Sequence, residues 1–153
     1  MTDRIASERG DSRLGLVVTH RRYVPYSHAH YAGNLVDGAY VLALFGDVAT
    51  DVCIQTDSDE GLFASYSQVQ FREAVRAGDV LEVVATVTRV GNRSREIDFQ
   101  ARVVCRGRPA GPVSAGPDSA GPDSAGPDSA AEVLGEPLTA VTATGTVVVP
   151  AKS

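Results

Sequence analysis

Two histidines, an asparagine and an aspartate, His28, His30, Asn34 and Asp37, crowd the stretch that leads into Gly38 and a long apolar run. An imidazole titrates near neutral pH, so it can move a proton or polarise a carbonyl. A glycine that opens a helix leaves its backbone N–H without an intrahelical partner, with the helix dipole behind it and room for a carbonyl to approach closely. Gly38 offers that donor, although a packing or capping glycine has the same appearance in sequence. Asp37 in a first helical turn either takes part in the chemistry or only stabilises the helix end.

Further along, Glu60 follows the acidic run Asp57-Ser58-Asp59, which by itself reads as a solvated turn, and precedes the apolar Gly61-Leu62-Phe63. A carboxylate at such a boundary is partly desolvated, which raises its pKa and suits it to act as a base. Tyr66 offers a hydroxyl to a substrate or to that base, or else packs in the core with its hydroxyl bonded. Asp47, set among apolar neighbours, reads as a buried, hydrogen-bonded structural aspartate. Arg89, Arg93 and Arg95 flank the loop Gly91-Asn92-Arg93-Ser94, and guanidinium groups together with loop N–H donors bind phosphates well. A charged hairpin tip is also often merely solvated. No metal site is expected: there are two cysteines, Cys53 and Cys105, without a CxxC pair or a Cys/His grouping. Nucleotide-binding loops of the P-loop or GxGxxG kind are absent from the sequence.

These residues need a scaffold. Apolar side chains from Leu35 to Ile54 fall on every side of a helix, which predicts a helix buried all round. Strand alternation marks Val80–Val90 and residues 95–105, where Ile97, Phe99, Ala101, Val103 and Cys105 share one face and Glu96, Asp98, Gln100 and Arg102 the other. Residues 64–72, closed by the turn Arg76-Ala77-Gly78-Asp79, and residues 138–149 read as further strands. The economical fold is α+β: one long central helix wrapped by a curved antiparallel sheet of about five strands, the hot-dog architecture. Residues 21–106 and 137–150 form its single domain. Residues 1–20 are an N-terminal arm, and residues 107–136, with Ser-Ala-Gly-Pro-Asp three times in succession, form a flexible loop before the last strand.

The stretch FREAVRAGDVLEVVATVTRVGNRSREIDFQARVV resembles the sheet region of hot-dog acyl-CoA enzymes. More specifically, AHYAGNLVDGAYVLALFGDVATDV followed by DSDEGLFASY is similar to the 3-aminobutyryl-CoA and β-alanyl-CoA ammonia-lyases. The hydrolases of this fold carry Gly-Gly where this chain has Asp37-Gly38, which favours the lyase reading with an extra carboxylate.

The resemblance implies reversible loss or addition of ammonia or an amine at the β-carbon of an acyl thioester. Such chemistry needs a donor for the enolate-like oxygen, a base for the α-proton and a group that holds the amine. Gly38 is the candidate donor, Glu60 the base, and Asp37, His30 and Tyr66 the remaining catalytic candidates; of the two histidines, His30 matches the motif and His28 is a surface residue. Arg89, Gly91, Arg93, Ser94 and Arg95 would hold the phosphates of coenzyme A, or of a carrier-protein phosphopantetheine, which is part of the substrate; no separate cofactor is required. A hot-dog thioesterase and a non-catalytic acyl-CoA-binding module are the alternatives.

A net charge of −5 speaks against nucleic-acid or anionic-membrane partners. The polar N-terminus and the lack of an uninterrupted apolar run of about 20 residues point to a cytoplasmic protein. Because a lone sheet leaves its edges open, a homodimer or a trimer of dimers is expected.

Overall fold

The computed structural model describes residues 10–108 and 130–151. The Ser-Ala-Gly-Pro-Asp repeats and the first nine residues lie outside the described residues. In chain order the elements are β1 (Val17–Tyr23), β2 (Ala29–Tyr31), β3 (Leu35–Val36), α1 (Gly38–Asp57), β4 (Leu62–Phe71), β5 (Val80–Val90), β6 (Ser94–Arg108) and β7 (Ala130–Val148). Five strands make one antiparallel sheet in the order β1-β5-β6-β7-β4, while β2 and β3 form a small separate pair. The helix lies across one face of the sheet, so the expected α+β architecture is the one observed.

Alternation in β5 and β6 works as period-2 patterning requires. Leu81, Val83, Ala85 and Val87 point into the core, and Val83 pairs with Ala101, Ala85 with Phe99 and Val87 with Ile97. Phe99 stacks on Phe45 of the helix, with ring centroids 5.0 Å apart.

The helix begins at Gly38 rather than Leu35 because Asp37 caps it: in extended backbone, its Oδ1 accepts the Tyr40 N–H at 3.2 Å. Leu35 and Val36 are diverted into β3, where the Val36 N–H donates to the Val75 carbonyl at 2.8 Å. At the other end Ser58 takes a left-handed conformation and closes the last turn on Ile54.

Burial all round is not what the helix has. Val41, Leu44, Phe45, Val48, Ala49, Val52 and Cys53 face the sheet, but Ala39, Ala43, Asp47, Thr50 and Ile54 are exposed. A single sheet covers a helix from one side only, so the remaining apolar stripe is left open within one chain. By length and mean hydropathy this helix is long and apolar enough to cross a membrane. Its apolar character is accounted for by the face packed on the sheet.

Two expected boundaries shift. The N-terminal arm does not run to residue 20, because β1 starts at Val17 and pairs with β5 through Val17–Thr86 to Tyr23–Val80; Gly15 and Leu16 already bond to Val87. The loop expected over 107–136 is shorter at both ends. Gly107 pairs with Ala131 and Arg108 with Ala130, so β6 and β7 continue as a ribbon past the rest of the sheet. Gly135 and Pro137 mask this in the sequence. They sit where the register shifts between Val103 and Cys105, at an irregularity that tolerates a residue without an N–H.

Candidate active site

The segment before the helix and the segment after β4 are stitched together by backbone. Besides the Val36–Val75 bond, the Ala77 N–H donates to the Asn34 carbonyl at 2.9 Å, and the N–H groups of Arg72 and Glu73 both reach the Ala140 carbonyl, at 2.7 and 3.1 Å. Gly78, with φ of +88°, makes the turn that returns the chain to β5, and Asp79 accepts the Arg76 N–H there. Between these segments lies a cavity of about 420 Å³ lined by Tyr31, Val36, Asp37, Gly38, Val41, Phe71, Arg72, Glu73, Ala74, Val75 and Val141. Its floor is apolar. Two carboxylates, one guanidinium, the Tyr31 phenol and the first N–H of the helix supply the polar groups.

Packing bears on Gly38 as well as position. A Cβ there would stand 2.5 Å from Phe71 Cε1, so the ring at the end of β4 rests directly on the helix start. His30 is exposed close by in β2, edge-on to Tyr31 with ring centroids 4.6 Å apart. His28, also exposed, lies against Tyr40 of the first helical turn, with centroids at 4.2 Å.

The other expected site residues are not at this cavity. Glu60 is exposed beyond the far end of α1, and a helix of 20 residues is about 30 Å long. Tyr66 lies between the two ends: its hydroxyl donates to the Leu42 carbonyl at 3.1 Å and its ring stacks on Phe63. Burial pushes its pKa up to about 12, so the phenol stays protonated.

The hairpin of arginines is at the Glu60 end, and Arg95 is not on its surface. Arg95 is 1% exposed. Its Nε and Nη2 donate to Asp57 Oδ2 and Oδ1 at 3.0 and 2.6 Å, and its Nη1 donates to the carbonyls of Gly91 and Ser94. With these donors committed, Arg95 is a structural tie between the hairpin and the end of α1 rather than a phosphate ligand. Asp57, correspondingly, belongs to the interior and not to a solvated turn. Gly91 and Ser94 close the loop on each other through the Gly91 N–H to the Ser94 carbonyl at 2.8 Å. Arg93 is exposed and donates from Nε to the Val149 carbonyl at 3.1 Å, while Arg89 is exposed at the end of β5.

Asp47 is exposed, not buried. It lines a second cavity of about 330 Å³ with Thr19, His20, Arg21, Arg22, Leu44 and Val83. One helical turn further on, Asp51 Oδ2 meets His20 Nε2 at 2.6 Å, a link between α1 and β1 that sequence patterns did not suggest. Arg72 and Glu73 were also missed as cavity residues. The available signal was their place directly after the strand that returns to the helix start. Among the described residues, no group of three or more His, Cys, Asp or Glu side chains could hold a metal ion.

Residues 33–108 match the family model described as Thioesterase superfamily. The chain is 45% identical over 122 residues to the 3-aminobutyryl-CoA ammonia lyase of Acetoanaerobium sticklandii, covering 80% of this chain and 85% of that protein. Among solved structures, it is similar to the β-alanyl-CoA:ammonia lyase from Clostridium propionicum, with a TM-score of 0.73, 31% identity, and 89% and 86% of the two chains covered. A hexameric thioesterase from Yersinia pestis shares the fold at a TM-score of 0.63 and 13% identity, over 89% and 88% of the chains. The backbone stitching around the helix start, the Asp37-Gly38 pair and this degree of identity lead to one conclusion: the chain belongs to the 3-aminobutyryl-CoA ammonia lyase family of hot-dog carbon–nitrogen lyases.

Proposed function

We propose that the cavity at the start of α1 is where this chain removes ammonia from, or adds it to, a short 3-aminoacyl thioester carried on coenzyme A. The observation that carries the reading is the cavity itself. An apolar floor suits a short acyl chain, the Gly38 N–H suits a thioester oxygen that gains negative charge, and carboxylates stand beside both. In the elimination direction a base takes the α-proton, its bonding pair becomes the Cα=Cβ bond, and the Cβ–N pair leaves with nitrogen as ammonia. The proton held by the base is then released with the ammonia as ammonium. His30, exposed beside Tyr31 of the lining, would assist proton exchange with solvent.

Glu60 can serve as the base only from a second copy of the chain. Within one chain, Glu60 and the hairpin bearing Arg89 and Arg93 stand at one end of α1, whereas Asp37 and Gly38 stand at the other. β4 is an edge strand with Leu62 76% and Phe71 57% exposed, and it ends at the cavity. Antiparallel pairing of two such edges about a two-fold axis carries the beginning of one β4 toward the end of the other. The coenzyme phosphates would then be met by Arg89 and Arg93 of the neighbouring chain. A hexameric relative supports such an assembly, as a dimer or a trimer of dimers. Location in the cytoplasm fits a coenzyme A substrate.

Crotonyl-CoA with ammonia tests the reading. Loss of the enoyl absorbance without free thiol is the expected result. Release of thiol would instead make the chain a thioesterase, which its match to the thioesterase superfamily model keeps as the second reading. Neither signal, with binding retained, would indicate an acyl-CoA-binding module or a different acyl chain.

A further inference from the structure

We infer that Glu73, together with Asp37, holds the ammonium group of the substrate and makes this cavity select 3-aminoacyl thioesters over plain acyl thioesters; the inference rests on the reading of the cavity given above. Glu73 sits on fixed backbone: its N–H is bonded to Ala140, and two residues later Val75 is bonded to Val36, next to the Asp37 cap. Its carboxylate, by contrast, makes no hydrogen bond or ion pair among the described residues. Other carboxylates are committed: Asp79 to Arg106, Glu82 to Arg21 and Arg102, and Asp57 to Arg95. Arg106 is close enough to feel the charge of Glu73, and Arg72 lines the same cavity, but neither is ion-paired to it. Arg106 donates to Asp79 and to the Ala74 carbonyl, and Arg72 Nε reaches Thr142 Oγ1 at 3.4 Å. Asp37 spends Oδ1 on its cap bond and keeps Oδ2.

Two carboxylates with free oxygens, beside an apolar floor, match a ligand that is cationic at one carbon and apolar around it. An ammonium entering the cavity loses water and gains both carboxylates in exchange. A plain acyl group gives the same carboxylates nothing in exchange for the water it displaces, so the cavity discriminates against the wrong ligand as well as for the right one. The nitrogen becomes neutral ammonia as it leaves, so the carboxylate's hold is strongest on the ground state. Glu73 is therefore a positioning and specificity residue, and its loss should raise KM while sparing kcat.

Two inert thioethers, S-(3-aminobutyl)-coenzyme A and S-butyl-coenzyme A, neither able to eliminate or to hydrolyse, separate this inference from the activity. Calorimetric titration of the wild-type chain should show the amino ligand binding at least about tenfold tighter. Glu73→Gln should remove most of that preference while S-butyl-coenzyme A affinity stays within about twofold, and Glu73→Ala should do the same. Equal affinity of the wild type for both ligands, or a preference that survives both substitutions, overturns the inference. A preference that depends on Glu73 in a chain that fails to add ammonia to enoyl-CoA substrates of several chain lengths leaves the ammonium site standing and removes the lyase reading. Turnover with a preference indifferent to Glu73 does the reverse.

Discussion

Arg95 and Asp57 form a two-pronged ion pair inside the protein, Nη2 to Oδ1 at 2.6 Å and Nε to Oδ2 at 3.0 Å, with 2% and 3% of their side chains exposed. A third member, Arg13, reaches Asp57 Oδ1 at 3.2 Å from the segment before β1, and Thr56 Oγ1 donates to Oδ2 at 2.6 Å. One carboxylate at the end of α1 thus ties together the helix, the β5–β6 hairpin and the N-terminal segment. Removing Asp57 leaves a buried guanidinium uncompensated, so Asp57→Asn should cost about 3–5 kcal/mol in denaturant unfolding.

The same pair sets a pH response. Burial raises the Asp57 pKa, but the hydrogen bonds from Arg95 and Thr56 outweigh it and hold the carboxyl below its ordinary value. A depressed carboxylate contributes stability that is present above its unfolded pKa and is lost as pH falls through the folded value. Acid titration of stability should therefore fall less steeply in Asp57→Asn than in the wild type; parallel curves would show that other groups govern acid unfolding.

Gly38→Ala should displace the Phe71 ring, since the new methyl would stand 2.5 Å from Cε1. The ring is 57% exposed and can turn aside, so the cost should fall at the low end of overpacking, about 1 kcal/mol. If crowding is the cause, Phe71→Leu in the same chain restores much of the loss in Tm; if the double variant is as unstable as the single one, Gly38 is needed for another reason.

Tyr66→Phe should lower stability by about 0.5–1.5 kcal/mol through loss of the bond to Leu42. Turnover should remain within a few-fold of wild type, because that hydroxyl is already spent on the helix. A fall of about two orders of magnitude or more, the scale of a lost acid or base, would place Tyr66 in the chemistry instead.

Assayed well below KM, Glu60→Gln and Asp37→Asn should each lose most of the activity alone. When the two variants are co-expressed, mixed assemblies contain some sites with both native residues, and statistical mixing of a dimer predicts about a quarter of wild-type activity. Failure to recover activity in verified mixed assemblies would mean that Glu60 and Asp37 do not meet across a two-fold axis.

Much of the scaffold was legible because alternation and apolar runs survive translation into strands and helices. The β5–β6 hairpin is where period-2 patterning put it. Arg95 shows how the same pattern can be read too timidly: it stands two residues before Ile97 on the inward face, and only its charge argued for the surface. Asp57 was hidden in an acidic run for a similar reason, since a sequence lists its charged neighbours but not a partner 38 positions away. The β6–β7 ribbon was concealed by Gly135 and Pro137, which long-range pairing overrides. Glu73 carries no local mark; only the bonds from Val36 and Asn34 to the segment after β4 bring it to the helix start.

The strand order has a consequence for synthesis. β1 pairs with β5 and β4 pairs with β7, so each edge of the sheet must wait for a partner made much later. A nascent chain on the ribosome holds β1 and then β4 unpaired while translation proceeds, and β4 finds its place only when β7 has emerged. The β5–β6 hairpin, whose contacts are local, is the one part of the sheet able to form early. Pauses in translation between β4 and β7 are therefore the interval in which this protein is most open to mispairing, and the interval in which a chaperone would find it.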